Sequence, residues 1–226
     1  ILIDPNDPGT EPRALVYLEH EIVDGTTTPN GRRVVSKRFE YVEIDASGNV
    51  ASAGYHPYID YRAPTDDERR VLGDIAEQDW VQASLSDLAL RHAIEHNAPA
   101  HLAEVEVRVH ARVDATAAAV EKRLTEEIRY WDAQALKLKD QELAGKRNAK
   151  LNSARARQRA DEAAERLERR RGELALERKL SARQPRVVGG ALVVPMGLVA
   201  ERMGSPPPLH AHDTTRTDKL AIAAVL

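Results

Sequence analysis

"AHLAEVEVRVHARVDATAAAVEKRLTEEIRYWDAQALKLKDQELA", from Ala100 to Ala144, contains neither Pro nor Gly. Val105, Val109, Val113, Ala117, Val120, Leu124, Ile128, Trp131, Ala135 and Leu138 recur along it at steps of three or four. An apolar seam of that period, kept for nearly five heptads, predicts one helix of about 65 Å at 1.5 Å rise per residue. Gly145 ends it. A second helix is expected from Asn148 or Lys150 to Ser181, with Leu151, Ala154, Ala160, Ala164, Leu167, Leu174 and Leu180 as a thinner seam. A polar break of a few residues can only return the chain alongside itself, so the pair reads as an antiparallel helical hairpin spanning 99–184.

On either side of this hairpin the grammar is that of strands. "ALVYLEHEIVDG" alternates with Val16, Leu18 and Ile22 on one side, and "RRVVSKRFEYVEID" repeats the pattern with Val35, Phe39 and Tyr41. The turn formers of "DGTTTPNG" between them predict a β-hairpin. A third run, "NVASAGYHPYIDY", follows the Ser47-Gly48 turn, with Pro57 marking an edge or an exit. Thr65 or Asp66 caps a helix carrying Val71, Leu72 and Ile75, and another is expected from Trp80 to His96, stopped by Asn97 and Pro99. Past Pro185, "RVVGGALVVPMGL" reads as a strand rejoining the sheet, its two glycines marking a bulge or bend. The fold class expected is therefore α+β: a small antiparallel β-rich head (14–98 and 185–204) with a long antiparallel coiled-coil hairpin inserted before the last strand. Residues 1–13 and 205–226 read as linkers, the latter Pro-rich and leading into a truncated helix. The chain opens on Ile1 and stops within "KLAIAAVL", so it is expected to be a piece of a larger protein.

Composition narrows the chemistry. Cys is absent from the 226 residues, which excludes disulfides and thiolate sites. No apolar run approaches the roughly 20 residues that span a bilayer, so no membrane is expected and a cytoplasmic location is the default. Neither a GxxxxGK[ST] phosphate loop, nor HExxH, nor GxSxG occurs, and no catalytic residue is assigned. His92 and His96 lie one helical turn apart and could share a metal with His101 or a carboxylate, but two surface histidines, with His96 favoured near a helix C-terminus, explain them better. "HAHD", His210 to Asp213, lies in the Pro-rich linker, and no cofactor is expected in this chain. The carboxylate pairs Asp66/Asp67 and Glu126/Glu127 read as helix starts and solvated faces. Phe39, Tyr41, Tyr55, Tyr58 and Tyr61 fit either the packing of a small sheet or a stacking surface for single strands.

Charge is the strongest functional signal. Lys137 to Arg186 holds sixteen Lys or Arg and eight Asp or Glu, an excess of about +8, which leaves about -11 for the rest of a chain whose net charge is -3. Lys146, Arg147, Lys150, Arg155, Arg157 and Arg159 occur with no carboxylate between them, at the expected tip of the hairpin. Six neighbouring cations repel one another unless a polyanion meets them, and phosphate backbone needs no sequence-specific geometry to do so. These six residues are the expected nucleic-acid contacts.

The order of parts also carries a resemblance. "LVYLEHEIVDG" and "KRFEYVEI", then "RLTEEIRYWDAQALKLKDQELAGK", the basic "LNSARARQRADE" and the strand "VVGGALVVP" resemble the C-terminal region of bacterial Swi/Snf-type helicase-like ATPases. That group includes RapA-like enzymes and large phage-defence helicases. The resemblance covers roughly residues 14–200. It implies a non-catalytic accessory region of an ATP-dependent helicase or translocase, docked on an upstream ATPase motor in the same parent chain and meeting double-stranded DNA. The alternative from another class is a structural arm that docks on a protein or drives oligomerisation without binding nucleic acid.

Overall fold

The computed structural model describes residues 1–146 and 149–205, with the backbone alone at 149 and 150. In chain order the elements are β1 (Leu2–Asp4), β2 (Arg13–Thr28), β3 (Gly31–Asp45), β4 (Val50–Ser52), α1 (Asp66–Val71), α2 (Asp79–Gln82), α3 (Leu85–His92), α4 (Ala98–Leu143), α5 (Ala149–Glu177), β5 (Ser181–Ala182), β6 (Arg186–Pro195) and α6 (Met196–Met203). The protein is mixed α+β. It divides into two compact units, the first made of Ile1–Glu21, Ser36–His101 and the chain from Ala182, the second of Ile22–Val35 and Leu102–Ser181.

The sheet runs β1-β6-β2-β3-β4, with β5 also paired to β2. In the first unit the even positions of β2 (Ala14, Val16 and Leu18) meet Val42 and Ile44 of β3, and Ala89 and Ala93 cover them. A second core joins Ile3, Leu72, Ile75, Leu192, Val194 and Val199. β6 pairs antiparallel with β2 from Arg13↔Val193 to Glu19↔Arg186. The register shifts beside Tyr17, which leaves Val188 without a partner next to Gly189, the bulge expected of the two glycines.

Three expectations for this unit are corrected. The segment 1–13 is not a linker: β1 pairs in parallel with β6, Leu2↔Val193 to Asp4↔Pro195, and Ile3 is fully buried. Burying one such side chain contributes about 1.5–3 kcal/mol, enough to hold a three-residue strand that propensity alone would miss. The parallel β1/β6 pair also makes the sheet mixed, not purely antiparallel. Nor does the helix stop at Asn97: a π-helical turn over Ala93–Asn97 leads straight into α4, with Pro99 in its first turn. Pro99 has no N–H to donate and its ring crowds the carbonyl four residues earlier, and a widened turn just before it absorbs both defects.

In the second unit Ile22 packs with Val105, Val109, Val113 and Leu174, flanked by Val35, Leu102, Ala117 and Leu180. A Cβ on Gly25 would lie 2.8 Å from the carbonyl oxygen of Leu176, so only glycine lets the β-hairpin approach α5 this closely. Ion pairs join Asp132, Glu127 and Glu121 of α4 to Arg157, Arg166 and Arg171 of α5, and Asp114 to Arg178 just past its end, so numbers fall along α4 as they rise along α5. Gly145, at φ 75°, follows α4 in the left-handed conformation glycine tolerates. On α5 the buried positions are Ser153, Ala156, Ala160, Ala163, Leu167 and Leu174. Leu151, Ala154 and Ala164 are therefore not the seam, and Leu151 and Ala154 are exposed. Small side chains at Ser153, Ala156 and Ala163 form a flat face that another helix can approach closely, a preference hydrophobicity ranking does not capture.

Candidate nucleic-acid interface

Of the six expected contacts, Arg147 and the side chain of Lys150 lie outside the described residues. Lys146 follows the last turn of α4 and Arg155 sits on α5; both are exposed, and neither forms an ion pair with a described residue. Arg157 and Arg159 depart from the expectation. Arg157 pairs with Asp132 across the helices at 2.9 Å and with Asp161 one turn along at 3.3 Å. The guanidinium of Arg159 lies over the Trp131 ring, 4.4 Å from its centroid. No carboxylate stands between these cations in sequence, but α4 supplies Asp132 from the neighbouring helix and Trp131 supplies a π face. Two of the six are thus compensated within the chain.

A groove of about 630 Å³ opens beside them, with Ala135, Leu136 and Ala154 as its apolar part and Asp132, Lys139 and Arg157 among its polar lining. Leu136, Leu143 and Leu151 are 69%, 78% and 55% exposed, so this stretch of α4 and α5 is apolar as well as basic.

The aromatic residues form a row on the first unit. Ring centroids run Phe39–Tyr17 5.5 Å, Tyr17–Tyr41 4.9 Å and Tyr41–Tyr58 5.6 Å, with Lys37 5.2 Å above Phe39. Tyr61 is not in this row: its hydroxyl donates to Glu43, and burial, then the Glu43 charge, push the phenol up to about 12. Around it Arg13 meets Asp4 at 2.6 Å, Asp7 at 2.7 Å and Glu43 at 3.0 Å, a largely buried cluster. Burial would lower the Arg13 pKa, but the Glu43 charge and the Tyr61 contact outweigh it and hold the guanidinium charged.

The histidines are arranged otherwise than the sequence suggested. His92 and His96 lie with ring centroids 4.8 Å apart, and burial, then the His96 charge, lower the His92 pKa. His101 does not join them. It is buried, with Nε2 2.8 Å from Ser36 Oγ and Nδ1 3.3 Å from Nδ1 of the equally buried His20. His20 Nε2 in turn faces Glu40 at 3.5 Å, and Asn97 donates to the same carboxylate. Among the described residues no group of three or more His, Cys, Asp or Glu is placed to hold a metal ion. "HAHD" lies outside the described residues. This Ser36–His101–His20–Glu40 chain was missed in the sequence, where its one trace is a histidine at the inward-facing position between Leu18 and Ile22.

Thr65 caps α1 in a reciprocal capping box with Glu68, and Asp66 and Asp67 occupy the first turn. Glu127 pairs with Arg166. Both carboxylate pairs therefore serve helix ends and faces. Comparison of the chain with protein-family models, with curated proteins and with solved structures finds no match. Among the described residues no helix is long and apolar enough to cross a membrane.

Proposed function

We propose that this chain is a non-catalytic accessory region of a Swi/Snf-type, ATP-dependent helicase or translocase. In this reading α4 and α5 form an antiparallel coiled-coil arm whose basic end meets the phosphate backbone of double-stranded DNA. ATP hydrolysis belongs to an upstream motor of the parent chain, and the protein acts in the cytoplasm. The observation that carries the reading is a contrast between the cations near the start of α5 and those further along the chain. Arg166, Arg171 and Arg178 each find a carboxylate on α4, whereas Lys146 and Arg155 stand exposed with no ion pair to a described residue. Cations held at the end of an arm and left uncompensated favour a polyanionic partner.

The test replaces Lys146, Arg147, Lys150 and Arg155 with Glu and leaves Arg157 and Arg159 in place, because those two have partners within the chain. Binding to a 30-base-pair duplex should weaken at least tenfold, and the slope of log K against log salt should fall by about 0.9 for each phosphate that is no longer neutralised. Circular dichroism should show unchanged helicity. Duplex affinity equal to that of the unaltered chain would refute the reading.

The exposed Leu136, Leu143 and Leu151 favour a second reading, in which the arm docks on a protein surface. It predicts duplex binding that is weak from the outset and insensitive to the four charge reversals.

A further inference from the structure

We infer that Ser36, His101, His20 and Glu40 form a directed proton relay that clamps β2, β3 and the first turn of α4 together, and that the clamp opens when both histidines are protonated. This rests on the first unit alone and is independent of the nucleic-acid reading.

The direction follows from the carboxylate. Burial pushes the Glu40 pKa up, but its contacts with His20 and Asn97 and the nearby Arg38 charge outweigh it, so Glu40 is ionised at neutral pH. An ionised carboxylate only accepts. The 3.5 Å to His20 Nε2 is an ion-pair distance, and Nε2 has no hydrogen-bond partner among the described residues. A bare nitrogen lone pair there would face a negative oxygen with nothing between them, so Nε2 carries the proton. Neutral His20 then presents an unprotonated Nδ1, and across 3.3 Å His101 Nδ1 must be the donor. His101 Nε2 is left without a proton and accepts that of the Ser36 hydroxyl at 2.8 Å. One carboxylate thereby sets two tautomers and one hydroxyl rotor. His101 is held as the Nδ1–H form, the minor tautomer of free histidine.

One added proton reverses the chain without breaking it. The shared proton moves from His101 Nδ1 to His20 Nδ1, making His20 an imidazolium beside Glu40. The incoming proton binds His101 Nε2, and Ser36 turns from donor to acceptor. A second proton has no such solution, since two N–H groups would then face each other across 3.3 Å. The charged groups around the pair are these. From β3 come Glu40 and Arg38, 3.9 Å apart; from the helical segment comes His92, on which His96, Glu40 and Glu95 act; and Glu104 follows His101 by three residues on α4. Glu19 and Glu21, the other carboxylates of this part of β2, are taken by Lys37, Arg183 and Arg186.

The test is long-range ¹⁵N NMR of the 226-residue chain labelled at histidine, with each ring assigned by single His→Asn variants. At pH 8.5 the result expected is Nε2–H at His20 and Nδ1–H at His101. On acidification His101 should switch to Nε2–H as His20 becomes an imidazolium. Below that, amide protection at His20, Ser36 and His101 should fall at least tenfold together with the second protonation. Glu40→Leu, which removes the acceptor, should return His101 to Nε2–H at pH 8.5, while Ser36→Ala should leave both tautomers as they are. His101 observed as Nε2–H in the unaltered chain at pH 8.5 would overturn the relay, even if Glu40→Leu fails to fold. Two histidines that both become imidazolium with no loss of amide protection would overturn the opening step.

Discussion

Replacing Arg13 with Met removes one charge from a buried spot while keeping most of the side chain's length. Arg13 satisfies three carboxylates, Asp4 at 2.6 Å, Asp7 at 2.7 Å and Glu43 at 3.0 Å, and Asp4, Arg13 and Glu43 are each less than a tenth exposed. The substitution leaves those carboxylates close together without the cation they share. Removing one partner of a buried pair costs about 3–5 kcal/mol, a large share of the roughly 5–15 kcal/mol that holds a domain folded. With a urea slope of about 2 kcal/mol per molar, the unfolding midpoint should fall by roughly 2 M. Trp80 packs on both cores of the first unit, so its fluorescence in a Trp131→Phe background reads this unit's unfolding. Adding Glu43→Gln to Arg13→Met should restore part of the loss, because one of the crowded anions disappears. A midpoint shift under about 0.5 M for Arg13→Met, or strictly additive effects in the double variant, would refute an electrostatic origin.

Gly197→Ala should be more damaging than its size suggests, by several kcal/mol in the same urea assay, because its Cβ would lie 2.0 Å from the carbonyl oxygen of Pro8 and 2.4 Å from that of Gly9. Thr65→Ala should cost about 1 kcal/mol of stability by removing one half of the capping box on α1. Glu68 is held at about 2, first by its bond from Arg62, so its stabilising contribution is complete above the ordinary 4.5 and is lost as pH falls from there to about 2; Arg62→Met should flatten that part of the stability profile. Tyr61 has the opposite sign: with its folded pKa raised to about 12, its contribution is complete below pH 10 and lost between 10 and 12, a fall that Tyr61→Phe should abolish. Arg159→Ala should change Trp131 emission without moving the helical circular dichroism of the chain, and an unchanged emission spectrum would contradict the cation–π contact.

The long helix was legible because Val105, Val109 and Val113 repeat a period that only a helix satisfies, and Gly145 marks its end in the sequence and in the structure alike. The bulge at Gly189 and the cap at Thr65 were legible for the same local reasons. What escaped were features decided at a distance. β1 is three residues beside prolines and aspartates, and only its pairing with β6 makes it a strand. Asn97-Pro99 carries every local sign of a helix stop, yet the widened turn before it lets the helix run on. Ser153 and Ala163 outrank Leu151 on α5 because the helix–helix contact selects for size. Asp161, one turn along from Arg157, was open to a local count, but Asp132 and Trp131, the partners of Arg157 and Arg159 on α4, are more than twenty residues away along the chain and were not. The relay unites positions 20, 36, 40 and 101, with no motif spacing to betray it.

β1 has a last consequence. Val193 and Val194 of β6 are completely buried, with β1 hydrogen-bonded along their outer side. Trimming the first twelve residues would bare a run of Leu-Val-Val backbone donors and acceptors, the kind of sticky border on which a second molecule can build a strand. β1 covers that border, and its own outer side is closed in turn, because the N–H and carbonyl of Ile3 pair with those of Arg62 at 2.8 and 2.9 Å.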